Sequence, residues 1–498
     1  MSEIRTQVIG QGTYGCVHYP PLLCDGSKDR DLDQISKLMD TDEANSEMKE
    51  YVLISSVDRN KEFYLGQPTL CKVGKQPYNI KAIKMCNMGD TVLKNYSDYS
   101  LMKMRNGGDS LKIFSQNMNK QVIDESNKTK ITDFWICCQK LFLGLKAFQS
   151  GDIVHHDVKH QNIVYHSKRN EVKYIDFGLM TQKNNIFEKM KKEGFWLAMF
   201  HWSFPIELGY LNKKIFNKFS KKADIDKLHH VGKLIDEIKT YTKSSNNDTT
   251  NISNESLAFI TLLNEVHCKE NAHYCTKTIE DVMEDYLNTL KTLKKKNYKQ
   301  IVDKSYKTVD SYGLGLSLMY VLNHVNKFME NDFAKELGDL FYNMYHPNIQ
   351  IRYEIETALT KYEEILNKYI LKDQNKEFLN NHVQTMSKSK KNVMNQIKST
   401  SLEDISLSSR KMLDSLTVDP VRKCPDGKIF NPLTRRCVKK CKDGYSRDSS
   451  FKCKKIIREC PDEKIRNPLT RRCVKKCKDN EIRNKKFRCV KTRKKRVE

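Results

Sequence analysis

The sequence predicts an α+β fold of two lobes, a small β-rich one followed by a larger helical one, with a separate cysteine-rich tail. Three observations carry this. Residues 4–90 hold short strand-like runs (TQVIG, CVHY, DQISKLM) with turn residues between them. Beyond Asp90 the apolar residues recur at helical spacing, most densely in ITDFWICCQKLFLGLKAFQS (131–150) and VDSYGLGLSLMYVLNHV (309–325). Beyond about residue 420 the cysteines become periodic and the charge becomes strongly positive.

The 498 residues exceed what one hydrophobic core usually organises. Of the net charge of +26, residues 421–498 supply 29 Lys+Arg against nine Asp+Glu, so the bulk of the chain is nearly balanced and the tail is a cation. No run approaches the ~18 apolar residues of a membrane span, and Met-Ser-Glu-Ile-Arg lacks the apolar core of a secretory signal. A cytosolic protein is expected, with its eight irregularly spaced cysteines before residue 420 as reduced thiols.

Within the first lobe, Asp42–Val57 is the one helical stretch, and KAIKMCNMGD (81–90) is expected to form an edge strand and the connection to the second lobe. Two short strands, IVYH (163–166) and VKYI (172–175), interrupt the helical lobe. Polar residues 241–256 lack periodicity and are expected to be disordered, whereas residues 257–300 and 353–370 are helical in pattern. The boundaries that follow are 1–90, 91–371, a polar linker at 372–420, and the tail at 421–498.

Four groups of residues bear on chemistry. Gly10, Gly12, Gly15 and Val17 form G-x-G-x-x-G-x-V between two apolar runs, where glycines let backbone N–H groups approach phosphates. In IVHHDVKHQN (153–162), Asp157 can accept a hydroxyl proton, Lys159 can meet a γ-phosphate, and Asn162 can offer an amide oxygen to a metal. Asp176, fourteen residues after Asn162 and inside IDFGLM, can ligate a magnesium ion bridging phosphates. The fourth group is the tail cysteines.

The ordered set H-x-D-x-K-x-x-N then D-F-G, behind a Gly-rich loop, resembles the eukaryotic-type protein kinases over residues 8–370. That resemblance implies a bilobal kinase fold, ATP with Mg2+ or Mn2+ as cofactors, and protein substrates. It makes Asp157 the base, Lys159 its catalytic partner, and Asn162 and Asp176 the metal ligands. Lys159 at its position resembles serine/threonine rather than tyrosine kinases. The strand lysine that holds the nucleotide phosphates is assigned to Lys37, with Lys84 as the rival, and its helix partner to Glu50, with Glu47 as the alternative. Phe204-Pro205-Ile206-Glu207 resembles the close of the activation segment, Arg352 its buried partner, and Asp310 the aspartate that opens the central helix and braces the catalytic loop.

Two departures stand out. His156 occupies the usual place of an arginine that reads an activation-loop phosphate, so activity independent of phosphorylation at Thr181 is expected. About 100 residues separate Glu207 from Asp310, implying an insertion over about 208–305 that either contacts substrates or is a tolerated surface excursion.

Residues 424–453 and 460–489 are two copies of one unit at a period of 36, each with C-x12-C-x3-C-x11-C spacing. Disulfides, zinc or reduced thiols are all open, with disulfides favoured by the lack of any C-x2-C pair. The repeated CPDGKIFNPLTRRCV and CPDEKIRNPLTRRCV resemble the two-cysteine adaptor module of large nucleocytoplasmic DNA viruses, and the combination resembles their serine/threonine kinases. The resemblance implies viral structural proteins as partners and a host cytoplasm, virus factory or virion location. The basic tail also permits sequence-independent nucleic-acid contact, and no membrane association is expected. A scaffold that keeps the fold without phosphotransfer is the alternative reading.

Overall fold

The computed structural model describes residues 6–12, 15–28, 30–183, 185, 200–243, 252–266 and 278–371, together with eight short strands within 428–491. The chain divides into two compact units, Met1–Asp414 and Ser415–Glu498.

The first unit begins with a five-stranded antiparallel sheet in the order β1-β2-β3-β5-β4. Its strands are β1 (Gln7–Gly12), β2 (Gly15–Tyr19), β3 (Gln34–Asp40), β4 (Thr69–Lys72) and β5 (Tyr99–Arg105). Helix α1 (Thr41–Val57) follows β3 directly, because the Asp40 side chain caps it by accepting from the N–H groups of Asp42 and Glu43. Its buried stripe of Ala44, Glu47, Met48, Tyr51 and Ile54 repeats at helical spacing and faces the core.

Two sequence expectations are corrected in this lobe. Residues 81–90 form neither an edge strand nor the interlobe connection. They hold the end of one short helix, α2 (Pro77–Ile83), a turn, and the start of a second, α3 (Gly89–Lys94), and β5 then returns the chain to the sheet. Pro77 explains the first helix, since proline pre-sets the first helical turn and needs no N–H partner there. The lobe therefore extends to Arg105 rather than 90, and the crossing to the helical lobe follows it. The second correction concerns cysteines: Cys16 is bonded to Cys86 and Cys24 to Cys71. They lie 70 and 47 residues apart in sequence, so no local spacing could reveal the pairing.

In the helical lobe, α4 (Leu111–Asn119) and α5 (Glu125–Ser150) precede the short strands β7 (Ile153–Val154), β8 (Ile163–His166), β9 (Glu171–Tyr174) and β10 (Thr181–Gln182). Strand β6 (Asp109–Ser110) joins β8 and β9 in one small sheet, and β7 pairs with β10 in another. Helices α6 (Lys213–Phe219), α7 (Asp224–Lys243), α8 (Asn254–Val266) and α9 (Ile279–Thr292) fill the insertion. The polar stretch 241–256 is thus helical at both ends, while 244–251 and the linker 372–420 lie outside the described residues.

Helix α10 (Tyr298–Val325) is buried along most of its length, with α11 (Asn331–Met344) and α12 (Ile355–Leu366) packed beyond it. Asp310 sits inside α10 rather than at its start, because the insertion prolongs the helix in the N-terminal direction.

In the second unit, four hairpins pair β11 (Lys428–Asn431) with β12 (Arg436–Lys439), β13 (Tyr445–Arg447) with β14 (Cys453–Lys455), β15 (Lys464–Arg466) with β16 (Cys473–Lys475), and β17 (Glu481–Arg483) with β18 (Cys489–Lys491). Each 36-residue repeat is therefore two hairpins. Cys489 is disulfide-bonded.

Candidate active site

The residues singled out from sequence meet where the small sheet faces the loops between β7, β8, β9 and β10. Lys37, at the centre of β3, lies opposite Val17 on β2 and Met102 on β5. Its Nζ is 2.6 Å from Glu47 Oε2 and 3.8 Å from Asp176 Oδ1. Burial alone would lower its pKa, but Asp176 and Glu47 outweigh burial and hold the ammonium above its ordinary value. Glu47 is thus the partner, not Glu50. Helix phase decides this, since Glu47 shares the core-facing stripe with Ala44 and Tyr51 while Glu50 is only half-buried.

The Gly-rich hairpin pairs Gly10 with Val17 and Gly12 with Gly15. A Cβ on Gly15 would lie 2.2 Å from the Leu38 carbonyl oxygen, so close packing of β2 on β3 requires glycine there. At Gly12 a Cβ would meet nothing within 4 Å, so the chain's own packing makes no such demand.

Between β7 and β8, Lys159 Nζ lies 2.8 and 3.0 Å from the two Asp157 carboxylate oxygens. Asn162 donates its amide to the Asp157 backbone oxygen at 3.0 Å and to Oδ2 at 2.8 Å, which leaves its own amide oxygen as an acceptor. Burial raises the Asp157 carboxyl above its ordinary value, and the Lys159 ammonium opposes that rise. The loop is held from below by Asp310, whose carboxylate accepts the N–H groups of His155 and His156 at 2.8 Å each. Gly313, one turn on, lets α10 approach, since a Cβ there would sit 2.2 Å from the Val158 carbonyl oxygen.

His156 and Asp176 both have left-handed backbone, at φ 63° and 62°. Such conformations are rare for residues with side chains and mark positions the surroundings hold in place. The His156 ring stacks on Phe204, with centroids 5.0 Å apart and planes 10° from parallel. Thr181 is buried in the β7–β10 pairing, opposite Val154.

One arrangement the sequence did not reveal joins the two lobes. Tyr51 of α1 meets Phe177 edge-on at 5.2 Å, and Phe177 meets the buried His155 ring at 5.1 Å. Burial keeps His155, within this aromatic stack, below its ordinary pKa. Helix α1, the Asp176 loop and the Asp157 loop are consequently packed as one body. Further down, Arg352 forks onto Glu207 at 2.7 and 3.1 Å, both side chains fully buried.

Asn162 and Asp176 offer two hard oxygen donors, the second 44% exposed. That suits Mg2+, which keeps several waters and takes phosphate oxygens rather than a full protein cage. Among the described residues no group of three or more His, Cys, Asp or Glu side chains forms a metal site by itself. No helix among them is long and apolar enough to cross a membrane.

A two-lobed α+β fold with a lysine–glutamate pair in the small lobe, facing an aspartate, lysine and asparagine cluster in the large one, defines the protein kinase class. The family model for protein tyrosine and serine/threonine kinases matches residues 5–304, and the chain belongs to that family. Comparison of the chain with curated proteins gives no match. Family membership brings ATP, a divalent metal and protein substrates as the general chemistry.

Proposed function

We propose that the protein is an active serine/threonine kinase, transferring the ATP γ-phosphoryl group to protein hydroxyls, with its basic tail as a tether. The observation that carries this reading is the meeting of Lys37, Glu47 and Asp176 in one ion-pair cluster, with Asp157, Lys159 and Asn162 in another.

Phosphoryl transfer asks the protein to position and to stabilise charge, with little covalent work of its own. Lys37, kept as an ammonium by Glu47, holds the α- and β-phosphates beneath the Gly10, Gly12, Gly15 and Val17 hairpin. The freedom from packing demand at Gly12 fits a glycine retained for close approach of a ligand. Asn162 and Asp176 would hold Mg2+, which when bound would neutralise phosphate charge. Asp157 accepts the proton of the attacking hydroxyl, and Lys159 meets the γ-phosphate oxygens. The aromatic stack from Tyr51 to His155 keeps these groups in register.

Lysine at position 159 supports serine and threonine as acceptors. Burial of Thr181 and the stacking of His156 on Phe204 support activity without phosphorylation of the activation segment. The tail's similarity to viral two-cysteine adaptor modules supports attachment to viral structural proteins in the host cytoplasm, virus factory or virion. The disulfide at Cys489 favours stapling by disulfides over zinc at that cysteine. Phosphoamino-acid analysis of a protein labelled with γ-phosphate from Mg-ATP tests the reading. Label on serine and threonine is expected, and label confined to tyrosine would overturn it.

A further inference from the structure

The face of the small sheet opposite Lys37 carries a row of residues set by strand register. Cys16 on β2 pairs with Leu38 on β3, Leu38 with Leu101 on β5, and Leu101 with Cys71 on β4. The two helices α2 and α3 cover this row, and Leu38 and Leu101 join Leu22, Val73, Ala82, Ile83 and Val92 in a small core of its own. A cysteine stands at each end of the row, and both are bonded outward: Cys16 to Cys86 in the turn between α2 and α3, Cys71 to Cys24 in the loop after β2.

The first of these bonds is attached to the phosphate-binding hairpin. Cys16 directly follows Gly15, and its partner Cys86 is followed by Asn87, whose N–H donates to the Gln11 side-chain oxygen on β1 at 2.9 Å. Both strands of the hairpin are therefore tied to one turn, β2 by a covalent bond and β1 by a hydrogen bond. The Cα atoms of Cys16 and Cys86 are 6.0 Å apart, ordinary for a disulfide. The second bond, Cys24 to Cys71, touches neither strand tip.

We propose that the Cys16–Cys86 bond and Gln11 are positioning elements that hold the Gly-rich hairpin over the nucleotide, so that nucleotide affinity depends on the redox state of this cysteine pair. The proposal rests on the kinase reading above. A small dithiol breaks the Sγ–Sγ bond by donating two electrons and two protons. Two thiols form on the protein, and the dithiol closes to its cyclic disulfide. With the bond open, the hairpin keeps its sheet pairing but loses its covalent anchor, and ordering it again opposes binding. Cys137 and Cys138 are free thiols, and burial pushes Cys137 up to about 12, so neither is a ready thiolate to exchange with the pair.

The test is equilibrium binding of Mg-ATP to the full chain when oxidised, after dithiothreitol, and after reoxidation with glutathione disulfide, alongside Cys86→Ser, Gln11→Ala and Cys24→Ser. Reduction is expected to weaken wild-type binding by about tenfold, reversibly, with kcat at saturating ATP changed less than twofold. Cys86→Ser should bind like the reduced protein and ignore dithiothreitol, which separates this pair from the tail cysteines. Gln11→Ala should weaken binding in both states, and Cys24→Ser should keep the full redox response. Equal affinity of oxidised and reduced wild type would overturn the proposal, as would recovery of unlinked Cys16 and Cys86 peptides from a non-reducing digest. Should neither state bind Mg-ATP, the kinase reading falls with it.

Discussion

Lys37 Nζ meets Glu47 Oε2 at 2.6 Å, and this contact ties the central strand of the small sheet to the helix beside it. Glu50, one turn further along α1, is half-buried and is not the partner of Lys37. Glu47→Gln should therefore lower kcat/KM by ~10²-fold, the usual consequence of misplacing a positioning group. Glu50→Gln should change it by less than about threefold in the same steady-state assay. Equal losses would show that the phase of α1 is wrong.

Asp310 accepts two backbone N–H groups from the loop between β7 and β8, one of them from His156 with its left-handed backbone. Asp310→Ala leaves both donors buried without acceptors, at about 1–3 kcal/mol each. Thermal denaturation should register that loss. The catalytic rate should fall as well, since His156 immediately precedes Asp157. Stability and kcat unchanged from wild type would contradict a bracing role.

Glu207 and Arg352 form a fully buried fork. Removing one partner strands the other, so Arg352→Met should cost about 3–5 kcal/mol in chemical denaturation. Pairing it with Glu207→Leu should recover part of that loss, because the stranded charge is gone. A double variant less stable than Arg352→Met would refute this account.

His18 is buried on β2, and burial lowers its pKa from 6.5 to about 4. The folded protein keeps it neutral while the unfolded chain protonates it, so its contribution to stability is full above pH 6.5 and is lost as pH falls toward 4. Asp58 and Asp310, both pushed up to about 6 by burial, act in the opposite sense over much of that range. The comparison must therefore be pairwise. Between pH 7 and pH 4, His18→Phe should gain on wild type by up to about 3 kcal/mol. Parallel stability curves would exclude His18 as the source.

What could be read in the sequence follows from how local each feature is. Asp157, Lys159 and Asn162 lie within six residues, so one loop brings them together, and the two-lobed order shows in the change from strand to helix periodicity. The Glu47 pairing needed the rotational phase of α1, which neighbouring acidic residues at 47 and 50 leave ambiguous. The cystine row needed strand register across β2, β3, β5 and β4, which no single strand encodes. Residues 81–90 misled because a short apolar run suits strand or helix equally, and only Pro77 marked the helix start. The family pattern, with its short connection there, puts Asp310 at the opening of its helix, whereas the insertion feeds into α10 from the N-terminal side.

The most direct test of the central claim is transfer of labelled γ-phosphate from Mg-ATP to a protein substrate, comparing wild type with Asp157→Asn and Asp176→Ala. Wild type should label serine or threonine, and each variant should lose ~10³-fold or more while remaining folded. Wild type no more active than the two variants, across basic and acidic substrates and with nucleotide bound, would contradict the assignment of this site to phosphotransfer.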